Sequence, residues 1–214
     1  LTTIYLVTDG DDSKTTTGDS LGVCVIPIET CFDNHAMISV TKTLAKGEEI
    51  NWAAILNNNS IPKLNSLIIM DRYIVRPPKQ RPGFDCDNLF QILDALIPDS
   101  LMVSFHLTLM TIIPKGENIS ELYDKINYHL LKTKRNTPVE LWIHPTIEEH
   151  FHNRAILSNN LFISNGSGFK LRGYSGKTIN EADIIISPVG LCGNVGEKQN
   201  WTNYFNIASS IIAD

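Results

Sequence analysis

Strand-like and helix-like stretches alternate along most of this chain, and that alternation restricts the fold more than any other feature. Residues 67–75 form an apolar, strand-like run that Pro77 and Pro78 stop, because proline has no N–H to give to a sheet. Leu89, Ile92, Leu93 and Leu96 then recur at helical spacing, behind Asp87 as the expected cap of a helix over 88–96. Residues 102–113 are apolar on both alternations, the pattern of a strand covered on both faces. The clearest helix spans 118–134. Asn118 and Glu121 stand at capping-box spacing, Ile119, Leu122, Tyr123, Ile126 and Leu130 share one face, and Lys132, Lys134 and Arg135 complement the C-terminal dipole.

Further strands are expected over 139–143 and 182–187, a hairpin of 154–157 and 161–163 around Asn159-Asn160, and a closing helix over 201–212. Together these predict an α/β sandwich, a mixed sheet flanked by helices. The N-terminal part reads differently, with strands over 3–8, 22–28 and 37–43 and a short helix over 50–56. If the chain has a boundary, Asn57-Asn58-Asn59 and Pro62 are the best place for it, which gives a small β-rich N-terminal lobe (1–62), either separate or part of the same domain, packed on an α/β domain (63–214).

At 214 residues and 43% hydrophobic, the chain can fill one core. Its formal charge of −5 gives no global basic field, so nucleic acid is not indicated as a partner and any polyanion contact must be local. Cys24, Cys31, Cys86 and Cys192 contain no C-x-x-C pair, which points to free thiols and a cytoplasmic, reducing setting. No apolar run reaches the length of a membrane span. His144, Glu148, Glu149, His150 and His152 match no metal-ligand spacing, and Asp9, Asp11, Asp12 and Asp19 lack the glycine and distal Glu of a calcium loop. No metal and no cofactor are therefore expected.

The chemistry-bearing stretch is 152–169: His152, one residue, Arg154, four residues, Asn159, six residues, then Gly166-Ser167-x-Phe169. This spacing resembles the H-x-K-x4-D-x6-G-S-x-N signature of the phospholipase D superfamily, with Arg154, Asn159 and Phe169 replacing Lys, Asp and Asn. The resemblance implies a His nucleophile whose imidazolium an acid stabilises and whose phosphate a cation and an amide grip. Arg154 can grip phosphate with its planar fork, whereas Asn159 carries no charge for an imidazolium and Phe169 removes a polar contact. His106, His129, His144 and His150 lack the following basic residue and Gly-Ser pair, so only homodimerisation brings in a second copy of the motif.

A second stretch resembles the non-catalytic phospholipase D-like domain that follows the MIT domain in some membrane-trafficking proteins. It comprises the strand ending in Asp71-Arg72-Tyr73-Ile74, a basic loop with Arg76, and the helix opened by Asp87-Asn88-Leu89-Phe90. The resemblance covers about residues 66–173. It implies a binding module, not an enzyme, that takes a partner protein or a phosphate-bearing ligand through His152, Arg154, Ser167, Lys170 and Arg172. Asn159, Gly166, Asp71 and Tyr73 support that face, the Arg72-Arg76-Lys79-Arg81 loop lies over it, and the backbone N–H groups of the 166–168 turn form a small anion niche. The competing expectation is a metal-independent phosphodiesterase or nuclease that works as a homodimer with His152 as nucleophile.

Overall fold

Consecutive apolar residues in strands buried on both faces set the centre of the molecule. In β4 (Ser66–Met70) Leu67 and Ile69 face one layer while Ile68 and Met70 face another, and every residue is buried. The computed structural model describes residues 6–8, 20–22, 25–27, 40–57, 63–77, 82–146, 154–171, 173, 177–188 and 195–213. In chain order the elements are β1 (Leu6–Thr8), β2 (Val25–Pro27), β3 (Val40–Leu44), α1 (Trp52–Asn57), β4, α2 (Asp87–Leu96), β5 (Phe105–Thr111), α3 (Ile119–Thr133), β6 (Val139–Pro145), β7 (Ala155–Ser158), β8 (Leu161–Ser164), β9 (Ala182–Pro188) and α4 (Val195–Ala213).

Seven strands form one mixed sheet in the order β3-β9-β8-β7-β4-β5-β6. β4, β5 and β6 are parallel and joined through α2 and α3, while β7, β8, β9 and β3 run antiparallel to their neighbours. Leu89, Ile92, Leu93, Leu122, Ile126 and Leu130 pack from α2 and α3 onto one face of the sheet, joined by Trp52, Ile55 and Leu56 of α1. Ala208 of α4, with Trp201, Tyr204 and Phe205, covers the other face over Ile68, Met70, Leu157 and Phe162. The architecture is therefore α/β, with helices on both faces of a mixed sheet. No helix among the described residues is long and apolar enough to cross a membrane.

Several boundaries shift for local physical reasons. β4 stops at Met70, not at Val75, because the Asp71 side chain accepts the N–H of Tyr73 at 2.7 Å and turns the backbone out of the ladder. The cap of α2 is Cys86, with Asp87 already inside the first turn, and no side chain caps that end. In α3 Asn118 does cap, accepting the N–H of Ser120 at 2.9 Å. Among the described N-terminal residues, β1 and β2 form a separate parallel pair, while β3 extends the main sheet beside β9 and α1 contributes to the main core. Leu44 and Trp52 are buried in that main core.

Candidate functional site

The carboxyl ends of β4 and β5 meet the start of β7 and the end of β8 at one edge of the sheet. Met70 lies opposite Met110 and Ala155, and Ala155 opposite Ser164. One residue further along that register, Asn165, Arg154, Asp71 and Thr111 stand side by side across four adjacent strands. The backbone bonds from Asn165 N–H to the Arg154 carbonyl (3.5 Å) and from Asp71 N–H to the Met110 carbonyl (3.1 Å) fit this row. Each of the four shares its face with an apolar core neighbour two residues away, Ile163, Ile156, Ile69 and Leu109 respectively. A polar row thus ends the face of the sheet that α1, α2 and α3 cover.

Asp71 is its centre. The side chain is 1% exposed. Its Oδ2 accepts the N–H of Phe169 at 2.5 Å and its Oδ1 the N–H of Tyr73 at 2.7 Å. Burial is the largest influence and pushes its pKa above the ordinary carboxylate range. The N–H groups of Phe169 and Tyr73, the Arg154 charge and the N–H of Ile74 oppose that shift. Gly168 makes the arrangement sterically feasible. It has φ +84°, and a Cβ there would lie 2.6 Å from Arg154 Cδ and 2.8 Å from Asp71 Oδ2. The Arg154 guanidinium continues over this glycine and donates from Nη1 to the Gly166 carbonyl at 3.1 Å.

Outside the row three guanidinium groups gather around the Tyr73 ring. Arg72 lies 4.4 Å, Arg76 5.1 Å and Arg154 5.7 Å from its centroid. Two of them come from the turn after β4 and the third from the residue just before β7, so only the folded sheet brings them together. Three like charges this close repel one another, and the negative ring face and the Asp71 carboxylate offset part of that repulsion. At the two ends of the row, Thr111 Oγ1 and Asn165 Nδ2 are buried with no hydrogen-bond partner among the described residues. Hydrogen-bonding capacity is therefore unmet on both sides of Arg154 and Asp71.

The residues expected at the site are sorted unequally. Arg154, Gly166, Ser167, Asp71 and Tyr73 come together. His152 and Arg172, with Lys79 and Arg81, lie outside the described residues. Asn159 is placed elsewhere, past the opposite end of β7, where its Oδ1 accepts the Asn65 N–H at 3.2 Å and its Nδ2 donates to the Gly22 carbonyl at 3.0 Å. Four residues of extended strand separate it from Arg154, so it braces the chain there and does not serve the Arg154 face.

The expected backbone niche is also corrected. Ser167 N–H donates to Asn165 Oδ1 (2.8 Å), Gly168 N–H to the Asn165 carbonyl (3.1 Å) and Phe169 N–H to Asp71. Those donors already have acceptors within the chain, and Phe169 is fully buried beside Trp52. Lys170 is held too, by Asp85 at 3.0 Å and by the Arg76 carbonyl, so it fixes the turn that carries Arg76. Arg72, Arg76 and Arg154 are the cations that meet at the Tyr73 ring. Thr111 and Asn165 escape sequence reading because one ends an apolar strand and the other sits in a Gly-Ser turn. A polar residue at the carboxyl end of a parallel strand is the signal that could have found Thr111.

No known family model matches the chain, and no curated protein matches it.

Proposed function

We propose that this chain is a non-catalytic, phospholipase D-like binding module that takes a phosphate-bearing ligand at the Arg72, Arg76 and Arg154 face. The observation that carries the reading is the convergence of three guanidinium groups within 5.7 Å of one tyrosine ring, at the carboxyl edge of the parallel strands. Open α/β sheets place ligands at that edge, and arginine forks match phosphate oxygens two at a time. The unmet Thr111 hydroxyl and Asn165 amide supply further polar contacts in the same row. A mixed sheet with helices on both faces is the layout a phospholipase D-like sandwich requires, and the spacing of Arg154, Gly166 and Ser167 agrees with it. Binding is favoured over hydrolysis because Asn159 lies at the far end of β7 and Asp71 already accepts two backbone N–H groups.

The test is calorimetric titration with inorganic pyrophosphate and with a phosphoserine peptide, together with assay of bis-p-nitrophenyl phosphate hydrolysis in chelator. Wild type is expected to bind at least one phosphate probe. Arg154→Gln and Arg72→Gln should each weaken that binding about tenfold or more, the effect of losing one charge-assisted bond. No hydrolysis is expected. Absence of binding at millimolar probe, or binding that both substitutions leave unchanged, refutes the reading. Chelator-resistant hydrolysis lost in His152→Ala replaces it with an enzyme.

A further inference from the structure

We infer that a second copy of this chain pairs with the free side of β6, the two β6 strands running antiparallel about a two-fold axis at Trp142. β6 ends the seven-stranded sheet, and among the described residues no strand pairs with its outer side. Its seven residues hold no Lys, no bulge and no proline before Pro145, the devices that normally keep a sheet edge from pairing. The opposite edge has such protection: β3 is shorter and carries the exposed Lys42. At the middle of β6, Trp142 is 59% exposed, on the same face of the sheet as α4.

The hydrogen-bond parity of the sheet fixes which groups face outward. Phe105 N–H donates to the Pro138 carbonyl at 2.7 Å and Thr146 N–H to the Thr111 carbonyl at 3.0 Å, so even-numbered residues of this strand bond to β5. Val139, Leu141 and Ile143 therefore direct their backbone groups to the free side. Two copies centred on Trp142 place Leu141 opposite Ile143 of the second copy, each exchanging both backbone bonds. Trp142 meets Trp142 and Glu140 meets His144 at the closer, non-hydrogen-bonded pairs. The carboxylate of Glu140 and the ring N–H of His144 are complementary in this register, and the symmetry makes the pair occur twice. Glu140 also contacts His106 of its own chain at 3.1 Å, which aligns its carboxylate on the same face.

The layer above β6 matches. His129 of α3 reaches Asp94 of α2 at 2.8 Å and Lys125 reaches the Phe84 carbonyl at 2.6 Å, so that flank of α3 turns inward. At 100° per residue, Tyr123 and Leu131 lie on the other flank, toward the β6 edge, 42% and 67% exposed. Pairing of the strands brings these two apolar side chains to the corresponding flank of the second copy. Because the paired strands are antiparallel, the two arginine faces point to opposite ends of the joined sheet. This dimer keeps the two Arg154 faces apart. It stands whether or not the arginine face binds phosphate.

The experiment is sedimentation equilibrium over about 1–100 µM, where dimerisation depends on concentration. Wild type is expected at twice the 23.9 kDa chain mass at the upper end. Trp142→Lys should weaken association about tenfold or more, as loss of a central aromatic anchor does. Glu140→Lys alone should weaken it, and Glu140→Lys with His144→Glu should restore it, since only the Trp142-centred register sets those residues opposite one another. A wild-type monomer at the top concentration, a Trp142→Lys dimer of unchanged strength, or failure of the double exchange to restore association overturns the inference. Should Trp142→Lys fail to fold, as judged by circular dichroism, the exposed Glu140 and His144 substitutions decide.

Discussion

The two ends of the β7–β8 hairpin carry one sequence motif and have opposite physical character. At the turn end, Ser158, Asn159 and Asn160 are all buried, and their side chains bond Asn65, Gly22, Lys63 and Leu161. At the open end, Arg154 is half-buried, its cation lies beside Asp71 and the Tyr73 ring, and Gly166 and Ser167 are exposed. The first end is closed by uncharged hydrogen bonds to remote chain, whereas the second concentrates charge at the surface. Residues spaced as a catalytic motif can thus be divided between bracing and binding, and the strand between them decides which is which.

Asn159→Ala should give the largest effect and leave the open end alone. It removes the acceptor of the part-buried Asn65 N–H and the donor to the Gly22 carbonyl, at a cost of about 2–4 kcal/mol of stability. Chemical denaturation should register that loss while pyrophosphate affinity stays within about twofold of wild type. A fall in affinity with stability intact would break the division between the two ends.

Gly168→Ala tests the open end, with an expected loss of about 2–3 kcal/mol from a left-handed alanine pressed against Arg154 and Asp71. Unlike Asn159→Ala, it should also weaken phosphate binding, because the alanine methyl displaces the Arg154 side chain. A stable variant with unaltered binding would show that the glycine is not what admits the arginine.

Smaller, pH-dependent effects sharpen the charge difference. Burial raises the Asp71 pKa, so the folded state holds that proton more tightly than the unfolded chain does. The resulting stability is present below the unfolded value and is lost as pH rises through the folded one. Asp71→Asn removes this loss, so its stability relative to wild type should improve as pH rises above the ordinary aspartate value of about 4. Arg154→Gln takes away a charge that lowers the Asp71 pKa, so it should cost more at pH 7 than at pH 4. Urea titrations at several pH values measure both trends. A flat difference profile for Asp71→Asn would mean that the carboxylate is not held against burial. The smallest effect concerns Cys86, whose buried thiol is raised to about 11 and should resist alkylation in the folded protein at pH 8.

Much of the layer order was legible in the sequence. The runs around Leu67 and Leu107, apolar on both alternations, can only be strands covered on both faces, and the periodicities of Leu89 to Leu96 and Ile119 to Leu130 supply helices to cover them. The capping by Asn118 and the hairpin at Asn159-Asn160 are likewise local, because the groups that form them lie within a few residues. The strand order was not legible: which strand lies beside β4, or that β3 closes the far edge, depends on pairings between residues tens of positions apart. The site divides the same way. The sequence by itself determined that Arg154, Gly166 and Ser167 lie near one another, because a short hairpin has to return there. Only the tertiary structure decided that Asp71 takes the N–H of Phe169, that Arg72 and Arg76 join Arg154 around Tyr73, and that Asn159 stays at the other end. Burial and cross-strand register act across the whole sheet, and neither is encoded in the spacing of a single segment.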